Sequence, residues 1–284
     1  MKDQQSLWMK LEKTVGLQKL IALIALIVIF GFFAISSESF RSFDTAVSIL
    51  DASYYIGFLA IGVTFVIITS GIDLSIGTVM MCSAIIGGVL HTKLGWPLWL
   101  SLLAILVIGG VFGLFNGILI AKFGLPPFIA TLGTMMISRG LSSIVSNVQS
   151  VTFPLRGTGE GWYKDLFRTK ENFPTGLIVL IIIAIMAAIV LNKTKIGRYI
   201  FAIGSNKEAT RLSGVNVIKW EAMAYVISGL FAGLAGIAYA ATYSTILPGT
   251  GNGMELDAIA GVVVGGTSLA GGVGSVLGTI IGVF

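Results

Sequence analysis

The chain has 284 residues, 55% of them hydrophobic and only 11% charged, with 37 glycines and a formal net charge of +5. Soluble domains carry about 25% charged residues and about 7% glycine, so a water-facing surface is excluded and most of this one must meet lipid. A single cysteine, Cys82, and a single histidine, His91, exclude a disulfide framework and a Cys/His metal cluster.

The composition is that of an all-α integral membrane protein, a polytopic helical bundle. A hydrocarbon core of about 30 Å needs roughly 20 apolar residues per helix, so spans are sought in the gaps between charges. In residues 1–19, Leu7, Leu11 and Val15 recur at i+4 spacing beside Trp8, among four lysines. That suits a short amphipathic helix on the inner leaflet, and equally a solvated tail. The apolar run 20–37 is longer than the 7–15 residues typical of a signal peptide, and Ala34-Ile-Ser36 is a poor cleavage site, so the run reads as an uncleaved first helix.

The runs 52–72 and 74–90 flank Thr69-Ser-Gly-Ile-Asp-Leu-Ser-Ile-Gly77, a carboxylate and three hydroxyls between glycines. A broken helix here could offer Ser70, Asp73 and Ser75 to a polyhydroxylated solute. The simpler reading makes Asp73 an N-cap that accepts backbone N–H bonds of the next helix. The run 94–121 contains Asn116 among glycines, a residue type that more often bonds a neighbouring helix than a substrate. In 123–155 the only charge is Arg139, placed in the outer third, able to snorkel outwards, to bind the Ser138/Ser142/Ser143 cluster, or to meet a solute.

An outer loop at 147–174 follows, with Trp162, Tyr163 and Phe167 among glycines and alternating charges, and then the run 172–192. The inner loop 192–219 holds six basic residues against the single acid Glu208, and Gly214 has the position of a helix C-cap. Positive-inside charge explains the basic residues. It does not explain Tyr199, Ile200, Phe201, Ile203 and Leu212, which should not face water without a partner. The runs 222–254 and 258–284 complete nine segments, the last one short after a tight turn near Gly271-Gly272. Glu255 and Asp257 open the run after Pro248–Gly253, as caps or as contacts to an external partner.

With the N-terminus cytoplasmic, eleven Lys/Arg fall inside, six outside and one (Arg139) within a span, the asymmetry expected of that orientation. The charge of +5 is thus a topology signal and calls for no nucleic acid. The glycine turns 249–253 and 271–275 lack the Gly-Lys-Ser/Thr ending of a phosphate-binding loop, so any ATP used belongs to another polypeptide.

Four stretches together resemble the permease subunit of bacterial ATP-binding-cassette importers for simple sugars, the ribose/xylose/galactose class. They are Thr69–Gly77, Pro127-Phe-Ile-Ala-Thr-Leu-Gly-Thr134, Gly197-Arg-Tyr-Ile-Phe-Ala-Ile-Gly-Ser-Asn206 with 209–217, and Glu255-Leu-Asp-Ala-Ile-Ala-Gly with Val264-Gly-Gly-Thr-Ser-Leu-Ala-Gly-Gly272. The resemblance covers residue 20 onwards. It implies a permease domain over 20–284 in the bacterial inner membrane, a second permease copy (homodimer or heterodimer), cytosolic ATPase subunits or a tandem ATPase carrying ATP and Mg, and an extracytoplasmic sugar-binding protein. This chain itself would hold no cofactor and catalyse no reaction.

The resemblance also implies ATPase coupling by Arg198, Tyr199, Asn206, Glu208, Ala209, Arg211 and Gly214. Glu208, Ala209 and Gly214 fit the importer pattern Glu-Ala-Ala, three residues, Gly, with Thr210 in place of the second alanine. Path or structural polar groups would be Ser70, Asp73, Ser75, Asn116, Thr131, Thr267 and Ser268, and Glu255 and Asp257 would face the binding protein. About ten helices and a polar tail are implied, so the sequence ending at Phe284 is expected to be a fragment or a shortened form. Two rivals stand beside this reading. An ion-coupled secondary sugar transporter would need a carboxylate deep in a span, with Asp73 the only candidate. An intramembrane aspartyl enzyme would pair Asp73 with Asp257, which this topology puts at opposite faces.

Overall fold

The computed structural model describes residues 17–169 and 174–284. The amphipathic pattern of Leu7, Trp8, Leu11 and Val15 lies outside them. The described residues form twelve α-helices and one two-residue antiparallel ladder. In chain order the helices are α1 Leu17–Ser36, α2 Phe43–Ile68, α3 Ile76–Thr92, α4 Leu98–Gly117, α5 Pro127–Ser146, α6 Lys164–Phe167, α7 Thr175–Lys193, α8 Lys195–Ser205, α9 Lys207–Leu212, α10 Val217–Tyr243, α11 Met254–Val264 and α12 Val276–Val283. A π-helical turn, Ile118–Lys122, prolongs α4, and the ladder joins β1 Val151–Thr152 to β2 Thr245–Ile246.

Charge gaps locate these helices well, since each of the eight apolar runs contains at least one. Of the nine segments expected, the last one short, not all are of full spanning length. Five helices among the described residues are long and apolar enough to cross a bilayer: α2, α4 with its π turn, α5, α7 and α10. At 1.5 Å per residue, the 11 residues of α11 and the 8 of α12 reach only about 16 and 12 Å. They pack on one another as a short helical hairpin, with Gly265 against the backbone of Gly278 and Gly282 against that of Gly261.

The centre of the bundle is α2, α3 and α10, with α4 packed along α10. Helix α2 is buried from Gly57 to its end. Helices α4 and α10 approach to backbone contact: Gly109 and Gly113 of α4 lie against Gly229, Gly233 and the Tyr225 carbonyl of α10. Such glycine seams let dispersion act between whole helices where lipid removes the hydrophobic drive. Helix α5 is the reverse of a soluble amphipathic helix. Thr131, Thr134, Ser138, Ser142 and Ser146 are buried, while Phe128, Ile129, Met136, Ile137 and Ile144 face outwards, as a helix between lipid and a protein interior requires.

Candidate transmembrane path and coupling site

The segment between α2 and α3 is built by its polar residues. Thr69 and Ser70 close α2 in a turn, with Ser70 held at φ 64°. The N-cap of α3 is Ser75, which corrects the assignment of that role to Asp73. The Asp73 carboxylate instead accepts from the Ser75 N–H (3.0 Å) and Oγ (2.6 Å) through Oδ1, and from Ser228 Oγ (3.0 Å) through Oδ2. The chain of bonds continues outwards: Asn116 Nδ2 donates to Ser75 Oγ (2.9 Å), and Thr134 Oγ1 donates to Asn116 Oδ1 (2.5 Å). Beside it Ser138 Oγ donates to Thr78 Oγ1 (2.8 Å). One buried network therefore ties the 69–75 turn to α3, α4, α5 and α10. Thr134 and Ser228 carry no sequence signal by themselves, and Ser138 bonds Thr78 where the sequence offered it to Arg139; the four-residue spacing of hydroxyls at 134, 138, 142 and 146 does signal a polar helix face.

Of the path candidates, Asp73, Ser75, Asn116, Thr131 and Thr267 are buried inside the chain. Thr131 bonds its own helix through the Pro127 carbonyl (2.8 Å). Thr267 Oγ1 is buried without a partner. Ser70 is exposed and Ser268 half-buried. Arg139 is exposed on α5 beside Gly249.

The turn after α10 does not stay at the far end of α3. Gly251 and Glu255 lie against Gly77, at the first turn of α3, where an added Cβ on Gly77 would sit 2.8 Å from Glu255 Oε2. Asp73 and the 251–257 segment are thus not at opposite faces, as the sequence reading had them. Two glycines make the approach possible, one without a side chain to obstruct it and one (Gly251) at φ +100°. Asp257 is exposed while Asp73 is 1% exposed, so no shared-proton pair forms. Glu255 is buried, with Oε1 accepting from the Gly253 N–H at 3.1 Å. This corrects its placing on a docking surface, since the carboxylate points into the protein, and of the two acids only Asp257 is exposed.

At the end of the bundle where α2 stops, three segments meet. Ser70 Oγ donates to the Ala270 carbonyl (2.8 Å) and the Gly272 N–H to the Ile68 carbonyl (2.9 Å). Gly204, near the end of α8, presses on the same Ile68 carbonyl. Helix α8 begins with the Thr194 side chain accepting from the Ile196 N–H, and buries Gly197, Ile200 and Ile203 against its own chain. The sequence argument for an outside partner to cover Ile200 and Ile203 therefore fails. Leu212 does remain 78% exposed.

Asn206 caps α9 through the Ala209 N–H (2.9 Å), and Gly214 ends it at φ +81°. Glu208 and Arg211 pair across one turn at 2.6 Å, and the hydrogen bond from Arg211 holds the Glu208 carboxyl below its ordinary range. Tyr199 stacks on Trp220 with ring centroids 5.0 Å apart. Between α8 and α9 lies an open cleft of about 560 Å³, lined by Arg198, Tyr199, Asn206 and Ala209 among others.

The opposite end is closed by the loop after α5. Tyr163 OH donates to the Ala240 carbonyl (3.2 Å), Arg156 pairs with Asp165 (2.7 Å), and Asp51 accepts from Thr169 N–H and Oγ1. Lys164 is buried with its ammonium on Ser244 Oγ. Burial, helped by the nearby Arg168, lowers its pKa.

No group of three candidate metal ligands occurs among the described residues. What the chain presents is a membrane bundle with a buried polar spine and a structured knob at one end. The family described as branched-chain amino acid transport system / permease component matches residues 45–284. The chain belongs to that permease family.

Among relatives, the ribose import permease protein RbsC of Escherichia coli (strain K12) is 38% identical, covering 92% of this chain and 81% of its own. The fructose import permease protein FruG of Bifidobacterium longum is 38% identical, over 82% of this chain and 70% of its own. The xylose transport system permease protein XylH of Haemophilus influenzae is 31% identical, over 95% and 88%. No solved structure matches. This permease is a multi-pass membrane component of a bacterial ATP-binding-cassette importer; as a permease component it is not an enzyme and carries no cofactor of its own.

Proposed function

We propose that this permease imports a neutral simple sugar, a pentose or hexose of the ribose type. An extracytoplasmic binding protein delivers the sugar, and separate cytosolic ATPase subunits, which hold ATP and Mg, drive transport. The observation that carries the reading is that relatives named for ribose, fructose and xylose each align over more than four-fifths of this chain. Buried hydroxyls and an amide along α5, α4 and the 69–75 turn support it, since they make a polar interior with little fixed charge.

In this proposal the N-terminus and the 192–219 loop are cytoplasmic, residues 20–284 form the permease body, and the 147–174 loop faces outwards, following the basic excess. Helices α8 and α9 enter a groove of the ATPase through Arg198, Tyr199, Asn206, Glu208, Ala209, Arg211 and Gly214. Their support is the capped, ion-paired α9 and the open cleft beside it. A second permease copy completes the path. Asp73, Ser75 and Asn116 hold the helices together, while Ser70, Ser268 and Asp257 remain accessible to solute or partner.

The test is uptake into proteoliposomes holding the permease, its ATPase and its binding protein, with a panel of ribose, xylose, fructose, galactose and leucine. ATP-dependent accumulation of one or more sugars is expected. Accumulation of leucine alone, or sugar uptake that follows a proton gradient without ATP, would overturn the reading.

A further inference from the structure

We infer that one face of α10 carries movement of the α8–α9 knob to the buried polar network, held by Lys207–Glu221 at one end and Ser228–Asp73 at the other. The inference rests on the coupling role proposed for α8 and α9.

Glu221, Tyr225 and Ser228 stand at i, i+4 and i+7 and so line one stripe of α10, rising about 10 Å along it. Lys207 is the first residue of α9, and its Nζ lies 2.7 Å from Glu221 Oε1. Lys207 keeps 54% of its side chain in water, whereas Glu221 keeps 7%. The other oxygen, Glu221 Oε2, is buried without a partner. A carboxylate removed from water is costly unless a cation accompanies it. Separating α9 from α10 would leave this one stranded, so the two helices move together.

Higher on the stripe, the buried Tyr225 OH lies 3.5 Å from the Ile72 carbonyl, and Ser228 Oγ donates to Asp73 Oδ2 at 3.0 Å. From Asp73 the bonds run through Ser75 and Asn116 to Thr134. A displacement of α9 thereby reaches the hydrogen bonds that fix α3, α4 and α5. The Ser70–Ala270 junction also touches the knob, through Gly204, but it bypasses α10, and variants on the α10 stripe distinguish the two routes.

The measurement is sugar taken up per ATP hydrolysed by the complete importer in proteoliposomes, normalised to assembled complex. Lys207→Met and Glu221→Gln are each expected to lower this ratio about tenfold, with ATP hydrolysis changed by less than about twofold. The exchange Lys207→Glu with Glu221→Lys is expected to bring the ratio back to within about threefold of the original. Ser228→Ala should lower the ratio by itself, and combined with Lys207→Met should add no further loss, because both cut the same route. A purely structural role would reduce the yield of complex and leave the ratio unchanged. Single variants with an unchanged ratio, an exchange that restores nothing, or losses that multiply in the Lys207/Ser228 pair would each overturn the inference. Failure of the proposed function has its own signature, an unaltered complex that hydrolyses ATP and moves no sugar, and it removes this inference as well.

Discussion

Asp73 shows how a membrane interior uses a single acid. Its two oxygens take three hydrogen bonds from Ser75 and Ser228, so its removal strands donors where no water can reach them. Each unsatisfied buried group costs about 1–3 kcal/mol. Asp73→Ala is therefore expected to destabilise the fold by roughly 3 kcal/mol. Asp73→Asn should cost less, because it keeps one acceptor for Ser75 and the Ser228 hydroxyl can turn round to accept. Cys82, the single cysteine and buried, reports unfolding by reaction with a thiol dye on heating in detergent. Equal losses in the two variants would show that the hydrogen bonds contribute little. Lys164 makes a second residue-scale test. Its folded pKa is lowered, so between that value and the ordinary 10.5 the unfolded chain holds more protons than the folded one. Stability attributable to Lys164 must then rise with pH across that window and be smallest below it. Lys164→Met should flatten this alkaline rise, measured as thiol-dye unfolding temperatures from pH 8 to pH 10.5.

Helices were legible where charge bounds an apolar run, because lipid tolerates no unpaired charge and the ends of α2, α4, α7 and α10 fall near the first charged or capping residue. The same rule could not show that α11 is short; the turn before the short α12 was signalled by the glycines near 271–272, not by charge. Nor could it show that Gly251 meets Gly77, for the contact is made by backbone atoms and leaves no side-chain pattern. The network was half legible. Asp73, Ser75 and Asn116 stand out as isolated polar residues, while Thr134 and Ser228 are hydroxyls of a kind common throughout such helices. Glycine seams likewise announce themselves only as composition. At Gly113 an added methyl would strike the Tyr225 carbonyl of α10, whereas at Gly133 on α5 it would meet open space. Gly113→Ala is expected to force α4 from α10 and sharply reduce folded protein by size-exclusion chromatography. Gly133→Ala should stay within about 0.5 kcal/mol of the parent. Similar behaviour of the two would mean that the α4–α10 seam is not the tight contact it is built to be.

As a whole the molecule is a helical bundle with a compact knob, α8 and α9, at one end. That feature has two separable parts. Gly204 is pressed into the junction of Ile68 and Gly272 and has no room for a side chain, so it fixes the knob to the bundle. Glu208 and Arg211 point away from the bundle, paired only with each other, and Gly214 takes a left-handed turn in open space. They are available to something outside the chain. The two parts predict opposite failures. Gly204→Val should pry the junction apart, lowering the unfolding temperature and the amount of assembled protein. Glu208→Lys sets two like charges side by side on an exposed helix and leaves the buried contacts intact, so the fold should survive with an unchanged unfolding temperature. If the knob is the ATPase contact, Glu208→Lys must abolish uptake from a correctly folded, membrane-inserted permease and reduce co-purification of the ATPase. Uptake at the parent rate from Glu208→Lys would remove α9 from the coupling surface, whatever the Gly204 variant does.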